Sequence, residues 1–556
     1  MTELSCLPHS VGYEDEGVCL SIQIGPYSIL LDCGLADITP LRAQPADFVF
    51  CSHAHTDHIR GLLSLHRTFP HLPIFASEVT ARLLPLNWPG QSDTDFCRAL
   101  PWRSPVELAP GLSVQLWPAG HMPGAAAFLL TYQTAQRTYS VFYSGDCFLS
   151  NGRLVDGMPL AELRNLKPDV LIVEGSYGTE RHPHRKQQEN YLVERLGKAL
   201  ANGGRAVFPS PLLGLGQELL MLMRSHHNFT GQPINVWVDP LIARGCDAYL
   251  GCLSALPTTV QNFAQHQPLF WDERVLPRVR RLDSQSSPEE LAEEPEAAVF
   301  IVHPATHPSA YGMAGVADWT VFVPTVESVS LWQGQLSEQL YGAYHRFDWL
   351  EALSATVGSE AIEHYMLTNH CDGVGTTQLI HNLRPQHVIF VHGDQRQLNS
   401  LASLDDLQAR YHLHLPTPTQ LIELPLASAF WQPAPPQGSL YEGEVDVDSQ
   451  GVQLRLPTVL ESDPRWAQLS DTGIVEASWQ GNQLVIRGIN QQELMRVKPA
   501  EAADPTRTCY YCRHLRGQRC RNIESPLVGL QVTSDGTCGV FERSGGGSDS
   551  GGSDTR

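Results

Sequence analysis

Residues 51–61 read CSHAHTDHIRG, and the six positions His53-Ala54-His55-Thr56-Asp57-His58 govern how the rest of the chain is read. Three imidazoles and a carboxylate follow directly on the apolar stretch Phe48-Val49-Phe50. β-Forming residues that end in a ligand-rich turn are how a sheet presents metal-binding side chains at its rim. Neutral imidazole and carboxylate are the donors that suit zinc and its neighbours. H-x-H-x-D-H is too dense for a polar loop that merely contains histidine, and a metal site is expected.

The same logic finds further candidates wherever a His or Asp closes an apolar strand beside a small residue. His121 follows Trp117-Pro118-Ala119-Gly120, Asp146 closes the stretch 139–145, and His392 follows Val388-Ile389-Phe390-Val391 and precedes Gly393. A neighbouring glycine lets the backbone turn sharply or approach an ion closely. Each alone is as readily an ordinary strand-end residue. In one chain with H-x-H-x-D-H they form a set.

Asp32 in ILLDCG, the His53–His58 run, His121 in AGHMPG, Asp146 in YSGDC and His392 in VHGD occur in an order that resembles the metallo-β-lactamase fold. EGSYGTERHPHRKQQE (Glu174–Glu189) and HYMLTNHCDGVGTTQLIHNLRPQHVIFVHGD (His364–Asp394) are similar to the β-CASP branch, the nucleases of RNA processing and decay. The resemblance covers roughly residues 1–400 and is specific at both ends. It implies an α/β protein, an αββα sandwich with an inserted parallel α/β cap. It also implies that His53, His55 and His121 hold one Zn2+, that Asp57, His58 and His392 hold a second, and that Asp146 bridges them. Asp32 would orient ligands from behind, as metal-bound histidines need. Glu174 and His370 match the branch's extra acidic and histidine motifs and would pair to protonate the leaving oxygen; with Asp57 they make up the expected catalytic residues. In the family a histidine at the position of His392 accompanies RNA substrates, where DNA-specific members carry an apolar residue. RNA is therefore expected over DNA.

The chemistry agrees independently. Two metals about 3.5–4 Å apart clamp a phosphate, lower the pKa of a shared water and stabilise charge on the attacking and leaving oxygens. A general acid of the Glu–His kind adds about 10²–10⁴ in rate. A zinc-dependent ribonuclease is the expected function. Two other classes stay open: a hydrolase of a small thioester or lactone on the same scaffold, and a non-catalytic RNA-processing scaffold subunit. The first has no use for a cap or a Glu174/His370 pair, and the second would be expected to have lost metal ligands.

At 556 residues the chain has room for two to four domains and a large core. Its N-terminal stretch is acidic and lacks the apolar core of a signal peptide, and no run approaches 18 apolar residues, so no membrane span is expected. Thirteen scattered cysteines do not read as a secreted disulfide framework, which fits a cytoplasmic enzyme. The formal charge of −21 is awkward for an RNA-binding protein. Local charge can still serve: Arg181, His182, His184, Arg185 and Lys186 cluster just past Glu174, and Arg181, His182 and Arg185 are the candidate substrate contacts.

The motifs divide the chain. Residues 1–185 are the first part of the metallo-β-lactamase domain, 186–357 the cap, and 358–430 the return segment. Gln188–Leu200 and Gln378–Leu383 read as helices; Arg205–Phe208, Ile234–Val238, Ala298–Val302, Val321–Val323 and Val388–Val391 read as strands. The family pattern frays in the cap: Leu215 stands where an arginine is expected before Gln217-Glu218, and no phosphate-contacting segment is recognisable within Pro304–Gly334. A Pro-rich linker (431–439) leads to a small β-rich region (440–500), with alternating stretches such as Val452–Leu456 and Leu484–Arg487. A module follows at 501–543 with Cys509, Cys512, Cys520 and Cys538 spaced C-x2-C-x7-C-x17-C, then a disordered tail at 544–556. Four thiolates at this spacing suggest a structural Zn2+, with a four-cysteine iron–sulfur cluster as the alternative. Arg513, His514, Arg516, Arg519 and Arg521 make the module basic, suited to RNA or a protein partner. A homo-oligomer or a larger RNA-processing complex is compatible with all of this.

Overall fold

The computed structural model describes residues 4–12, 17–282, 291, 297–304, 306, 319–324, 362–426, 444–448, 451–455, 475–480 and 483–488, and, further on, 508–517, 519–522, 525, 527–528, 532 and 540–543. The chain separates into two compact units, residues 1–437 and 438–556.

The first unit is built on two seven-stranded sheets. One runs Ile422–Glu423, Leu4–Val11, Val18–Ile24, Tyr27–Leu31, Phe48–Phe50, Ile74–Ser77, Cys97–Leu100 from edge to edge. The other runs His412–His414, His387–Val391, Val170–Glu174, Thr138–Tyr143, Ala126–Gln133, Leu112–Pro118, Val106–Ala109. Period-two burial decides which side chains meet between them. Leu20, Ile22, Ile29, Leu31 and Phe50 pack there against Phe128, Leu130, Val141, Ile172 and Ile389. Phe50 lies 5.2 Å from Phe128 and 5.7 Å from Phe75, ring centre to ring centre. The outer faces are also apolar: Cys19, Leu30, Val49, Phe142, Leu171 and Phe390 are buried together with helical residues such as Leu62, Leu65, Leu379 and Leu383. Strands buried on both faces read as near-continuous apolar runs, and helices must cover them. The result is the αββα sandwich expected from the sequence.

The inserted part carries a six-stranded sheet ordered Arg278–Arg281, Ile234–Val238, Ala297–Val302, Arg205–Pro209, Trp319–Pro324, Ile362–Tyr365, with every neighbouring pair parallel. Parallel neighbours need crossover connections, and Leu215–Ser225 and Pro240–Gly251 are helices. Ile362–Tyr365 is an edge strand of this sheet, so the sheet runs past the boundary at 357 read from sequence. Four residues of mixed polarity carry too little periodicity to reveal a strand. Two helices also begin earlier than their apolar spacing suggested, at Arg185 and at Gly373. In the second case Asp372 caps the helix through the Gly375 N–H, and two glycines hide the first turn from a propensity reading.

In the second unit, Glu444–Asp448 pairs with Gly451–Arg455 and Val475–Gln480 with Gln483–Gly488, both antiparallel. Cys509 and Cys520 are buried with Leu527 and Val532. The linker at 431–439, most of Pro304–Gly334, Cys538 and the tail at 544–556 lie outside the described residues. Among the described residues no helix is long and apolar enough to cross a membrane.

Phe128→Ala should empty the centre of the sandwich and lower the unfolding free energy by about 3–5 kcal/mol in urea titration. A loss below about 1 kcal/mol would mean that the two sheets do not pack through this ring.

Candidate metal centre

The site is assembled from strand ends. Asp32 follows Tyr27–Leu31, and the CSHAHTDH turn follows its parallel neighbour Phe48–Phe50, with Leu31 opposite Phe50. In the facing sheet Asp146 follows Thr138–Tyr143, Glu174 closes Val170–Glu174, and His392 follows His387–Val391. These three strands are mutually parallel, with Glu174 opposite Val391. Parallel neighbours deliver their last residues to the same rim, which is how Asp57 and His392, 335 positions apart, come within 3.1 Å. The rim is tightly specified. Asp32 and His392 both hold positive φ, 56° and 53°, a conformation that costs a non-glycine residue energy and persists only where the surroundings impose it. At Gly34 a Cβ would lie 1.8 Å from the carbonyl oxygen of Asp57, so that position must be bare.

All seven candidate ligands come together. His53, His55 and His121 form one donor set and Asp57, His58 and His392 another, with Asp146 in both; within each set the donor atoms lie within 4.8 Å of one another. Their far sides are engaged by groups that fix which atom faces inward. Asp32, fully buried, accepts from Ser52 N at 2.7 Å, Ser52 Oγ at 2.7 Å and Tyr143 OH at 2.6 Å, and faces His58 Nδ1 at 2.7 Å. His121 Nδ1 lies 3.0 Å from the Asn369 carbonyl and His55 Nε2 lies 3.3 Å from that of Leu213. A carbonyl only accepts, so those nitrogens carry the protons. His121 Nε2 and His55 Nδ1, 3.1 Å apart, then present two lone pairs to one point. His53 Nε2, His58 Nε2 and Asp146 Oδ1 are buried without a hydrogen-bond partner. Buried acceptors left unpaired are costly, and converging lone pairs repel; a cation at each point resolves both. The residues present therefore fit two metal ions.

Electrostatics follow from the crowding. Burial, then the neighbouring imidazoles, hold His53 and His121 neutral, well below the ordinary histidine range. Burial alone would raise Asp146, but His392, His58 and His53 outweigh it and keep the carboxyl well below the usual range. His370 also resists its burial. Glu174 Oε2, 2.8 Å from His370 Nδ1, pushes the imidazole up to about 9. Glu174 is itself held by Cys147 N at 2.6 Å and by the Ser176 hydroxyl. Cations in the two donor sets would pull the value for His370 down again.

Two of the three candidate substrate contacts turn inward. Arg185 is 8 % exposed; Nη1 donates to Thr368 O and Asn369 Oδ1, both at 2.7 Å, and Nη2 donates to Glu218 Oε2 at 2.8 Å. The helix begins at Arg185 itself, so this side chain faces the interior and supports the loop that carries His370. His182 stacks edge-on against Tyr177 at 4.1 Å, and burial pushes it down to about 4, which leaves it uncharged. Arg181 is exposed. Glu218, not recognised from sequence, accepts from Arg153 N and Leu154 N, both at 2.8 Å, and so ties the cap to the sandwich. Ser52, Tyr143, Ser176 and Asn369 were missed as well. All four lie within the quoted motifs, and that adjacency is the one signal that could have suggested them.

Fold and site together define a metal-dependent hydrolase built on a two-sheet sandwich. The model of the beta-lactamase superfamily domain matches residues 27–201. The uncharacterized protein sll0514 of Synechocystis is 46% identical over 551 residues, covering 97% of this chain and 97% of that one. Ribonuclease TTHA0252 of Thermus thermophilus is 30% identical over 285 residues, 47% of this chain and 62% of that protein. The probable RNase MJ4 of Methanocaldococcus jannaschii is 28% identical over 234 residues, 38% of this chain and 54% of that protein. The matched region thus spans less than two thirds of each of these two ribonuclease-named relatives. The chain belongs to the metallo-β-lactamase superfamily and to its β-CASP branch.

Asp32→Asn should weaken metal retention about 10–100-fold in chelator competition, because His58 loses the anion behind it. Retention equal to that of the unaltered chain would remove Asp32 from the site.

Proposed function

We propose that this chain is a zinc-dependent ribonuclease that hydrolyses RNA phosphodiester bonds in RNA processing or decay. One observation carries the reading: the Glu174–His370 pair stands against both donor sets, with Asp146, Glu174, His370 and His392 presenting atoms within 4.8 Å of one another. A hydrolase of small thioesters or lactones has no use for a buried acid–base pair at that spot.

One zinc would be held by His53, His55 and His121, the other by Asp57, His58 and His392, with Asp146 common to both. When bound, the ions supply a water of lowered pKa and positive charge where the phosphate becomes most anionic. The chain's own residues do the rest. The Glu174 carboxylate opposes the pull of the ions on the His370 proton, so that His370 can hand a proton to the leaving oxygen. His370 lies nearly parallel to His392 at 5.6 Å and 4.5 Å from His121, which keeps the proton beside the reacting phosphate. The Leu213 carbonyl on His55 brings the cap down on the first donor set and limits water there. Leu215, where the branch is expected to carry arginine, is 7 % exposed and supplies no charge, so phosphate recognition rests more heavily on the ions.

RNA as substrate draws support from the relatives named as ribonucleases and from His392. A cytoplasmic setting fits free thiols such as Cys33, Cys51 and Cys147. Cys509, Cys512, Cys520 and Cys538 would hold one structural Zn2+. Assembly into a homo-oligomer or an RNA-processing complex is part of the same reading.

Zinc-loaded protein should cleave a 5′-labelled single-stranded RNA, and Asp57→Ala/His58→Ala should abolish cleavage. RNA left intact while a lactone or thioester is hydrolysed would overturn the reading. His370→Ala should slow cleavage about 10²–10⁴-fold with the metal content of the site unchanged. Loss of metal instead would make His370 a ligand.

A further inference from the structure

The C-terminal module buries a small apolar cluster and leaves two adjacent aromatic rings exposed. Cys509, Cys520, Leu527 and Val532 are buried together, with Leu515 packed against them. Tyr510 and Tyr511, on the single turn Cys509–Tyr511, face outward and are 67 % and 42 % exposed. Their rings meet edge to face at 5.0 Å. Neither ring belongs to the buried cluster, and exposed aromatic surface of this kind marks contact with a ligand.

Charge points the same way. From Thr508 to Asn522 the sequence contains four arginines and no acidic residue, in a chain whose formal charge is −21. Arg513 is paired with Glu542 and Arg516 Nη1 donates to backbone carbonyls of Arg513 and Leu515; Arg516, Arg519 and Arg521 are all exposed around the short hairpin Leu515–Arg516/Arg519–Cys520. Aromatic rings on which bases stack, beside cations that follow a phosphate backbone, are the shared means by which proteins bind single-stranded nucleic acid. A duplex offers no unstacked base faces. A protein partner would also use tyrosine and arginine, but flat bases joined by phosphates match adjacent rings beside three arginines on both counts.

We propose that Tyr510, Tyr511, Arg516, Arg519 and Arg521 form a docking surface for single-stranded RNA, on which the two rings stack bases and the three arginines contact the backbone. The choice of RNA over DNA rests on the ribonuclease reading; the single-strand docking does not. Tethering such a surface to a catalytic unit raises the local concentration of substrate. That would offset the repulsion expected from an acidic chain.

The test uses the full chain carrying Asp57→Ala/His58→Ala, so that binding is measured without cleavage and independently of it. The probe is a 5′-fluorescein-labelled single-stranded 15-mer RNA of mixed sequence, read by anisotropy against salt. Tyr510→Ala/Tyr511→Ala should weaken binding at least tenfold, and Tyr510→Phe/Tyr511→Phe, which keeps both rings, should restore it. Arg516→Glu/Arg519→Glu should weaken binding and flatten the dependence of log Kd on log salt. Unchanged affinity in the tyrosine and arginine variants overturns the proposal. So does a polyaspartate peptide that loses affinity to the same extent on Tyr510→Ala/Tyr511→Ala, because that would identify an acidic protein as the occupant.

Discussion

The structure depends on a carboxylate that has nowhere to go. Asp146 is 2 % exposed, with His58 Nε2 at 3.3 Å, His53 Nε2 at 3.4 Å, His392 Nδ1 at 3.5 Å and His121 Nε2 at 3.9 Å. Burying a carboxylate costs its hydration, and His53 and His121, held neutral by their own burial, turn lone pairs toward it. Cations on either side would relieve these costs by accepting the lone pairs that face inward. In our reading the αββα sandwich exists to hold that crowd in place: two cores, five strand ends on one rim and two strained backbones converge on the carboxyl of Asp146.

The cap matters because its contacts reach the same crowd. Glu218 takes the backbone of Arg153 and Leu154 and the guanidinium of Arg185, and Arg185 takes Thr368 and Asn369. Asn369 in turn presents its carbonyl to His121. A buried charge network of this kind is weak evidence for stability, since desolvation offsets much of its attraction, yet it fixes a geometry. Here the geometry fixed is that of the loop bearing His370. The position of the proposed proton donor is therefore set jointly by the sandwich and the cap.

Much of this was legible in the sequence because the chemistry is concentrated at strand ends. The apolar run before each ligand announces the strand, and a His or Asp beside glycine announces the rim. Ile234–Val238 has the same bounds in sequence and structure for that reason. Arg185 was misread because a basic cluster looks the same whether its helix turns it inward or outward, and the helix phase is set by where the first turn begins. Glu218 stayed hidden because a glutamate inside an apolar helix gives no sign of the backbone amides it will meet. His182 was counted as a charge, but burial against Tyr177 removes it. Spacing reveals elements and ligands; partners that come from a different part of the chain do not show in it.

The central claim is that two cations flank Asp146. Anomalous X-ray scattering at the zinc edge, from crystals of the full chain grown with zinc, tests it directly. The account predicts two peaks at the rim, one within ligand distance of His53, His55 and His121, the other within ligand distance of Asp57, His58 and His392, with the Asp146 carboxylate between them. A single peak, or density that avoids Asp146, would contradict it.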